Sequence, residues 1–280
     1  MKTVNGRFVK EHLPEIPADA NKYTRGYLLL IAGSYGMAGA AVMAARAALR
    51  TGVGYLNLAV PASIYGIVSQ AVPEAVFTVY DETDPKDIEE KLIPPMKRAS
   101  AVAFGSGTGA LREMLFRIVS ENCEKPLLLD ADGLNALSEA EPVSLRAAEL
   151  VLTPHAGEMA RLLKCTSEDV ERDRTAAVLA ASARYHAVTL LKGPETLIAG
   201  GDQILVNTTG NAGMARAGSG DVLTGIIGAL MAQGESGFAA AASGAWIHGH
   251  AGDLCREEYG IRSMLPTDMI EKIEEVYLEL

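Results

Sequence analysis

Cysteine is scarce in this sequence: Cys123, Cys165 and Cys255 are widely spaced and odd in number. That excludes a disulfide framework or a cysteine-built metal cluster, and it points to a reducing compartment. Basic residues are also short, with 25 lysines and arginines against 35 acidic residues, a net charge of −10. No basic cluster offsets this, so nucleic acid and anionic membranes are poor partners. Apolar runs such as residues 27–32 and 226–232 fall far below bilayer-spanning length. The opening MKTVNGRFVKEHLP lacks the apolar core of a signal peptide, so a cytoplasmic chain is expected. Two nucleotide-binding signatures are missing as well. The loop at 33–39 has neither the Gly-Lys-Ser/Thr ending of a Walker A loop nor GxGxxG spacing, which argues against a P-loop NTPase or a Rossmann dehydrogenase.

What is present is an ordinary globular composition, 49% hydrophobic and 21% charged over 280 residues, enough for a full core. Short, continuous apolar runs at 27–32, 55–60, 99–104, 127–130, 150–152 and 187–191 read as strands buried on both faces. Helical patterns alternate with them. The expectation is an α/β fold, a three-layer α/β/α sandwich around a mostly parallel sheet, as one domain over 1–280. Residues 1–25, polar and punctuated by proline, read as an edge extension. A helix over 84–91 should stop at Pro94-Pro95. Thr166 and Asp169 make a capping box for one helix running to Tyr185. Runs 196–199 and 203–206, split by Gly200-Gly201-Asp202, predict a hairpin.

The chain is organised around residues 207–233, NTTGNAGMARAGSGDVLTGIIGALMAQ. A loop too rich in Gly, Asn and Thr to be helix passes into an apolar helix starting at Asp221. Gly218 and Gly220 leave room for an anion at the positive end of that helix, and Asp221 supplies a candidate base. Phosphoryl transfer suits the pair, although a turn followed by a capping Asp accounts for the same residues. The helix terminus should stabilise ionised Asp221 and lower its pKa. Five further loops follow strands, at 33–39, 105–109, 130–135, 153–158 and 192–196, and in such sheets ligands bind beyond the strands' carboxyl ends. Together these loops predict one cleft. Within them, His155 and Glu158 suit ligand or metal-water contact or a structural hydrogen bond. Lys192 suits a phosphate. Asp130 and Asp132 are read as caps for the next helix, with water-mediated Mg²⁺ as the alternative.

AGSYGMAGAAVMAARAALRTGVGYLNLAVP, LDADGLNAL, TPHAGEMARLL, LKGPETLIA and the organising stretch occur in matching order, and the chain resembles the ADP-dependent NAD(P)H-hydrate dehydratase family. That resemblance implies a ribokinase-like fold and a Mg²⁺-nucleotide reaction with ADP or ATP. It implies that Asp221 is the essential carboxylate and touches the hydrated nicotinamide. Ala40, Gly107 and His155 would contact the hydrate. Lys192, Gly193, Pro194, Glu195 and Thr196 would line the nucleotide, with Gly218 and Gly220 at its phosphates, and Glu158 would reach a metal through water. A homo-oligomer, up to a tetramer, is implied too. Multifunctional relatives carry an epimerase domain ahead of this one; here about two dozen residues precede the first strand, so a separate epimerase chain is expected. The family often has GPGLG where this chain has Gly105-Ser106-Gly107-Thr108-Gly109. Related vitamin and sugar kinases show Asn where His155 stands. The closest rival is therefore an ATP-dependent kinase of a small thiazole or hydroxymethylpyrimidine alcohol. A non-catalytic nucleotide-binding regulator is the rival from another class, and Asp221 argues against it.

Overall fold

The computed structural model describes residues 1–140 and 144–280. Ten strands join in one sheet: β1 (Lys2–Thr3), β2 (Tyr27–Ile31), β3 (Tyr55–Pro61), β4 (Val76–Tyr80), β5 (Ala101–Phe104), β6 (Leu127–Leu129), β7 (Leu150–Leu152), β8 (Val188–Leu191), β9 (Thr196–Gly200) and β10 (Gln203–Asn207). Their order is β1-β10-β9-β8-β7-β6-β5-β2-β3-β4. Every pairing is parallel except those of β9, which runs against β8 and β10 as the expected hairpin. β1 adds to the β10 edge, so the N-terminal segment does extend the sheet.

Leu28, Leu29, Leu30 and Ile31 of β2 are all 0% exposed, and they alternate between two separate cores. Burial on both faces is why the run is continuous rather than alternating; each such side chain contributes about 2 kcal/mol. One face is covered by α1 (Gly6–His12), α2 (Ala38–Arg50), α3 (Ala62–Ala71), α10 (Ser219–Ala232), α11 (Gly237–Ser263) and α12 (Pro266–Glu279). The other is covered by α4 (Pro85–Arg98), α5 (Arg112–Asn122), α6 (Asp132–Glu139), α7 (Ala156–Leu163), α8 (Ser167–Arg172) and α9 (Arg174–Tyr185). None of the described helices is long and apolar enough to cross a membrane. The layered α/β/α architecture is the one the alternation of patterns predicts.

Three boundaries differ from expectation. α4 continues through Pro94-Pro95 to Arg98. The carbonyls of Glu90 and Lys91 lose their helical donors there, but both residues are exposed, while Leu92, Pro95 and Met96 are buried under the sheet. The helix from Thr166 is not continuous to Tyr185. Its capping box forms, yet the chain breaks at Asp173, whose carboxylate accepts from Ala176 N–H at 2.9 Å and starts α9 afresh. α10 begins at Ser219, two residues before Asp221.

α10 is buried on nearly all sides between α2 and α11. Small residues permit this: a Cβ on Gly225 would lie 2.1 Å from the Ala44 carbonyl oxygen. The chain winds from β2 outward to β4, then restarts at β5 on the other side of β2 and proceeds toward β8. The crevice between the ends of β2 and β5 is thus a topological switch point, where open α/β sheets bind ligands. On α11, Trp246, the only tryptophan, stacks on His250 with ring centroids 4.8 Å apart.

Candidate active site

The N-terminus of α10 is built by two glycines with different duties. Gly218 takes φ 97°, the left-handed conformation that glycine adopts without strain, and a Cβ there would fall 2.5 Å from Met43 Cε. Its backbone conformation, with the Met43 contact, is reason enough for glycine there. A Cβ on Gly220 meets nothing nearer than Lys192 Nζ at 3.5 Å and Asp130 Oδ2 at 3.8 Å. Here the protein leaves room, and the bare backbone lies over the Lys192–Asp130 pair. Among the described residues no side chain caps this helix, so leading N–H groups stay available. Ser219 is the exception, since its N–H donates to the Arg216 carbonyl at 3.2 Å and closes the turn.

Lys192, at the end of β8, donates to Asp130 Oδ1 at 2.7 Å and lies 3.8 Å from Glu158 Oε2. Burial alone would depress the ammonium's pKa, but the charges of Asp130, Glu158 and Asp221 together hold it above its ordinary value. Lys192 therefore stays charged. Asp130 is 2% exposed and also accepts from Thr153 Oγ1 at 2.8 Å and Thr224 Oγ1 at 2.9 Å. It is not a helix cap: Ala131 occupies that position in α6, with φ 48° and no side-chain bond. Asp132 is no cap either. It accepts the Gly109 N–H at 2.8 Å and ties the 105–109 loop to α6.

Asp221 lines the cleft, half-buried. Its pKa is raised to about 6, first by burial and then by the Asp130 charge, with the Ser106 hydroxyl and Lys192 pulling back. The expected lowering by the helix terminus does not prevail, because dehydration and a like charge close by outweigh a dipole effect of roughly 1 kcal/mol.

His155 caps α7. Its Nδ1 accepts from the Gly157 N–H at 3.0 Å and the Glu158 N–H at 3.3 Å, while Glu158 Oε2 accepts the His155 N–H at 2.9 Å. This reciprocal box assigns the ring proton to Nε2. The imidazole is 56% exposed, so the ring that caps α7 also borders the cleft. Glu158 is buried beneath it.

The cleft has a volume of about 1030 Å³, at the upper end of small-molecule sites. Loops 153–158, 192–196 and 207–221 meet there, bringing His155, Lys192–Thr196, Gly218, Gly220 and Asp221 around one space. Ala40 and Gly107 are not in its lining. They meet each other instead, a Cβ on Gly107 falling 2.9 Å from Ala40 Cβ.

Sequence reading passed over four groups. Thr224 anchors Asp130. Arg174 donates to the Leu191 and Lys192 carbonyls, both at 3.3 Å, and braces the Lys192 loop from α9. Asp253 of α11 accepts the Gly210 N–H at 2.8 Å and holds the cleft loop. His248 of α11 lies 3.3 Å from Ser219 Oγ through Nε2; burial and then Lys192 push its pKa to about 4, so it is neutral. The HGHAGD pattern at residues 248–253 was the one signal for the last two.

Among the described residues, the carboxylates of Asp130, Glu195 and Asp221 line the cleft with the cations of Lys192 and Arg216, while Asp132 and Glu158 act from behind the lining. No cluster of three or more metal-ligating side chains occurs among the described residues. Such a site suits Mg²⁺ arriving with an anionic nucleotide, which keeps waters and takes phosphate oxygens, rather than a cage of protein ligands.

Comparison with known proteins bears on what this cleft serves. Residues 28–275 match the family model described as NAD(P)H-hydrate dehydratase. An ADP-dependent (S)-NAD(P)H-hydrate dehydratase from Neisseria meningitidis is 43% identical over 252 residues, 88% of this chain and 83% of that protein. A bifunctional NAD(P)H-hydrate repair enzyme from Moorella thermoacetica is 37% identical over 96% of this chain, which spans 52% of that longer protein. Among solved structures, the ADP/ATP-dependent NAD(P)H-hydrate dehydratase of Bacillus subtilis, crystallised with ATP and Mg²⁺, superposes with a TM-score of 0.86 at 26% identity, covering 99% of this chain and 98% of that one. With the family match running through nearly every element that builds the cleft, the chain belongs to the NAD(P)H-hydrate dehydratase family.

Proposed function

We propose that this protein converts (6S)-NAD(P)H hydrate back to NAD(P)H, with ADP as phosphoryl donor and AMP and phosphate as by-products. One observation carries the reading within its family: the Asp221 carboxylate stands in the cleft where the α10 terminus overlooks charged Lys192. Hydroxide is a poor leaving group. Phosphorylating the hydrate's hydroxyl makes a good one: the ring nitrogen's lone pair expels phosphate as the C6–O bond breaks, and loss of a C5 proton to the departing phosphate or to water then re-forms the C5=C6 bond.

The residues divide the work as positioning and charge neutralisation. Gly193, Pro194, Glu195 and Thr196 line the nucleotide. Lys192, anchored by Asp130, sets a fixed positive charge at its phosphates, and the N–H groups at Gly220 and Asp221 receive phosphoryl oxygens. Asp221 accepts the hydroxyl proton. At about 6 its pKa leaves it mostly ionised at neutral pH, yet more basic than an ordinary carboxylate. His155 offers its Nε2–H to the hydrate, and the contacts with Ala40 and Gly107 that the family resemblance implies would require the hydrate to reach beyond the cleft lining. Mg²⁺ would enter with the nucleotide, reached by Glu158 through water, and supplies phosphate charge neutralisation when bound.

The same reading makes residues 1–280 one catalytic domain of a cytoplasmic homo-oligomer, up to a tetramer. It also links the protein to an NAD(P)H-hydrate epimerase, the activity that the bifunctional relatives suggest; the chain spans about half the length of those relatives. The decisive experiment incubates the protein with hydrated NADH, Mg²⁺ and ADP or ATP, and follows the absorbance of the restored dihydropyridine. Restored absorbance with stoichiometric AMP supports the assignment; a stable phosphorylated product without dihydropyridine points to a kinase instead.

A further inference from the structure

Asp130 collects donors from three separate elements. Lys192 Nζ at the end of β8 and Thr153 Oγ1 after β7 reach its Oδ1 at 2.7 and 2.8 Å, while Thr224 Oγ1 of α10 reaches its Oδ2 at 2.9 Å. Thr224 is 1% exposed. A threonine inside a helix often turns its hydroxyl back onto the carbonyl four residues earlier. Thr224 sends its hydroxyl outward instead, and it follows Gly220 by four residues, so the two share one face of α10. That face lies over the Lys192–Asp130 pair: a Cβ on Gly220 would stand 3.5 Å from Lys192 Nζ and 3.8 Å from Asp130 Oδ2.

The Lys192 ammonium has three N–H groups to give. Asp130 takes one through Oδ1, and Glu158 Oε2, at 3.8 Å, is beyond hydrogen-bond reach. Two N–H groups therefore remain for a ligand in the cleft that Lys192 lines. Asp130 Oδ2 competes for them, because a carboxylate with both oxygens open can take two donors from one cation. Thr224 fills that oxygen with a neutral hydroxyl. Solvent is a poor substitute for it, since Asp130 is 2% exposed and a buried oxygen left without a donor is costly. The same bond ties α10 to the ion pair one turn beyond the backbone N–H groups at its start.

We propose that Thr224 is a positioning residue for the phosphate-binding charge of the cleft: by occupying Asp130 Oδ2 it limits Asp130 to a one-oxygen hold on Lys192, and it fixes the α10 terminus over the ammonium. Both effects aim Lys192 and the helix N–H groups at the same phosphate. The choice of ADP as its carrier rests on the dehydratase reading; the clamp rests on the three hydrogen bonds to Asp130. Without the hydroxyl, Oδ2 draws a second N–H of Lys192 to itself and the phosphate loses a donor. Contacts to the hydrate do not pass through this bond.

The test compares the unaltered protein with T224V, T224A and T224S. The first two lack the hydroxyl, with and without the side-chain bulk, and the third keeps the hydroxyl but loses the methyl. Thermal melts give the folded fraction, calorimetric titration gives Kd for ADP, and steady-state kinetics with hydrated NADH give separate KM values for ADP and hydrate. In T224V and T224A both Kd and KM for ADP should rise about tenfold, with the hydrate KM changed less than about twofold. T224S should stay within about threefold of the unaltered protein for ADP, although its missing methyl lowers the melting temperature. ADP affinity that follows side-chain bulk rather than the hydroxyl, or KM values for both substrates that rise together, overturns the proposal. If the unaltered protein shows no dehydratase activity while T224V and T224A still lose ADP, the functional reading has failed and the clamp stands. Normal activity with ADP binding unmoved in both variants does the reverse.

Discussion

At the far end of α10 from the cleft, the turn into α11 buries Glu235 to 8% exposure with neither carboxylate oxygen bonded. Burial pushes its pKa up to about 8, opposed only by Ser243. The native state therefore holds a proton that the unfolded chain releases near pH 4.5. For a carboxyl raised in this way, stability is full below the unfolded value and declines as pH rises through the folded one. Replacement by glutamine removes the charge and hence the decline. At about 1.4 kcal/mol per pKa unit, the advantage of Glu235→Gln should grow by about 4 kcal/mol between pH 5 and pH 9. For a chain of this size that corresponds to about 7 °C in Tm. Denaturant titrations at fixed pH steps measure it. The slope with pH is the diagnostic quantity, because any packing difference between the two side chains adds a constant. A stability difference flat across that range would refute a neutral, buried Glu235.

The remaining expectations concern the cleft. Asp221→Asn should keep the fold and lower turnover by several orders of magnitude; in the unaltered protein, turnover should fall as pH drops through about 6, where Asp221 takes up its proton. Near-normal turnover in the Asn variant, or a rate flat from pH 5 to 8, would contradict the base assignment. Gly220→Ala should leave the unfolding midpoint nearly unchanged while weakening nucleotide binding tenfold or more, about 1.4 kcal/mol; Gly218→Ala should lower the midpoint as well, because of its φ and the Met43 contact. Calorimetric titration with ADP beside thermal melts separates the two, and identical behaviour would dispose of the distinction. His155→Ala should cost about 1 kcal/mol through the lost cap, whereas His155→Asn retains a capping oxygen. The Asn variant should weaken hydrate binding more than ADP binding, and equal losses would remove His155 from substrate choice.

Much of the architecture could be read from the chain because its strands are buried on both faces. Runs as short and uniformly apolar as 27–31 or 188–191 suit little besides a central strand, and the glycines after them mark where the chain turns. Helix ends were less legible. Pro94 and Pro95 read as a stop only while their neighbours are unknown; the burial of Met96 overrides it. Asp173 looks like any helical aspartate until its carboxylate is seen capping α9. The candidate site divides in the same way. His155 and Glu158 are three apart, so their capping box is local and nameable. The behaviour of Asp221 depends on Asp130, which reaches it from another strand end, and a local rule about helix termini pointed the wrong way. Ala40 and Gly107 did come together, but beside the cleft rather than within it.

The lone indole of Trp246 has a practical corollary. Its backbone carbonyl accepts from Thr209 Oγ1 at 3.2 Å, and Thr209 belongs to the cleft lining. Its ring rests on His250, one turn along the helix. Under excitation at the red edge, where the nine tyrosines no longer absorb, emission comes from this one indole, whose residue is joined by one hydrogen bond to the loop lining the cleft, so changes there can be followed optically without attaching a dye.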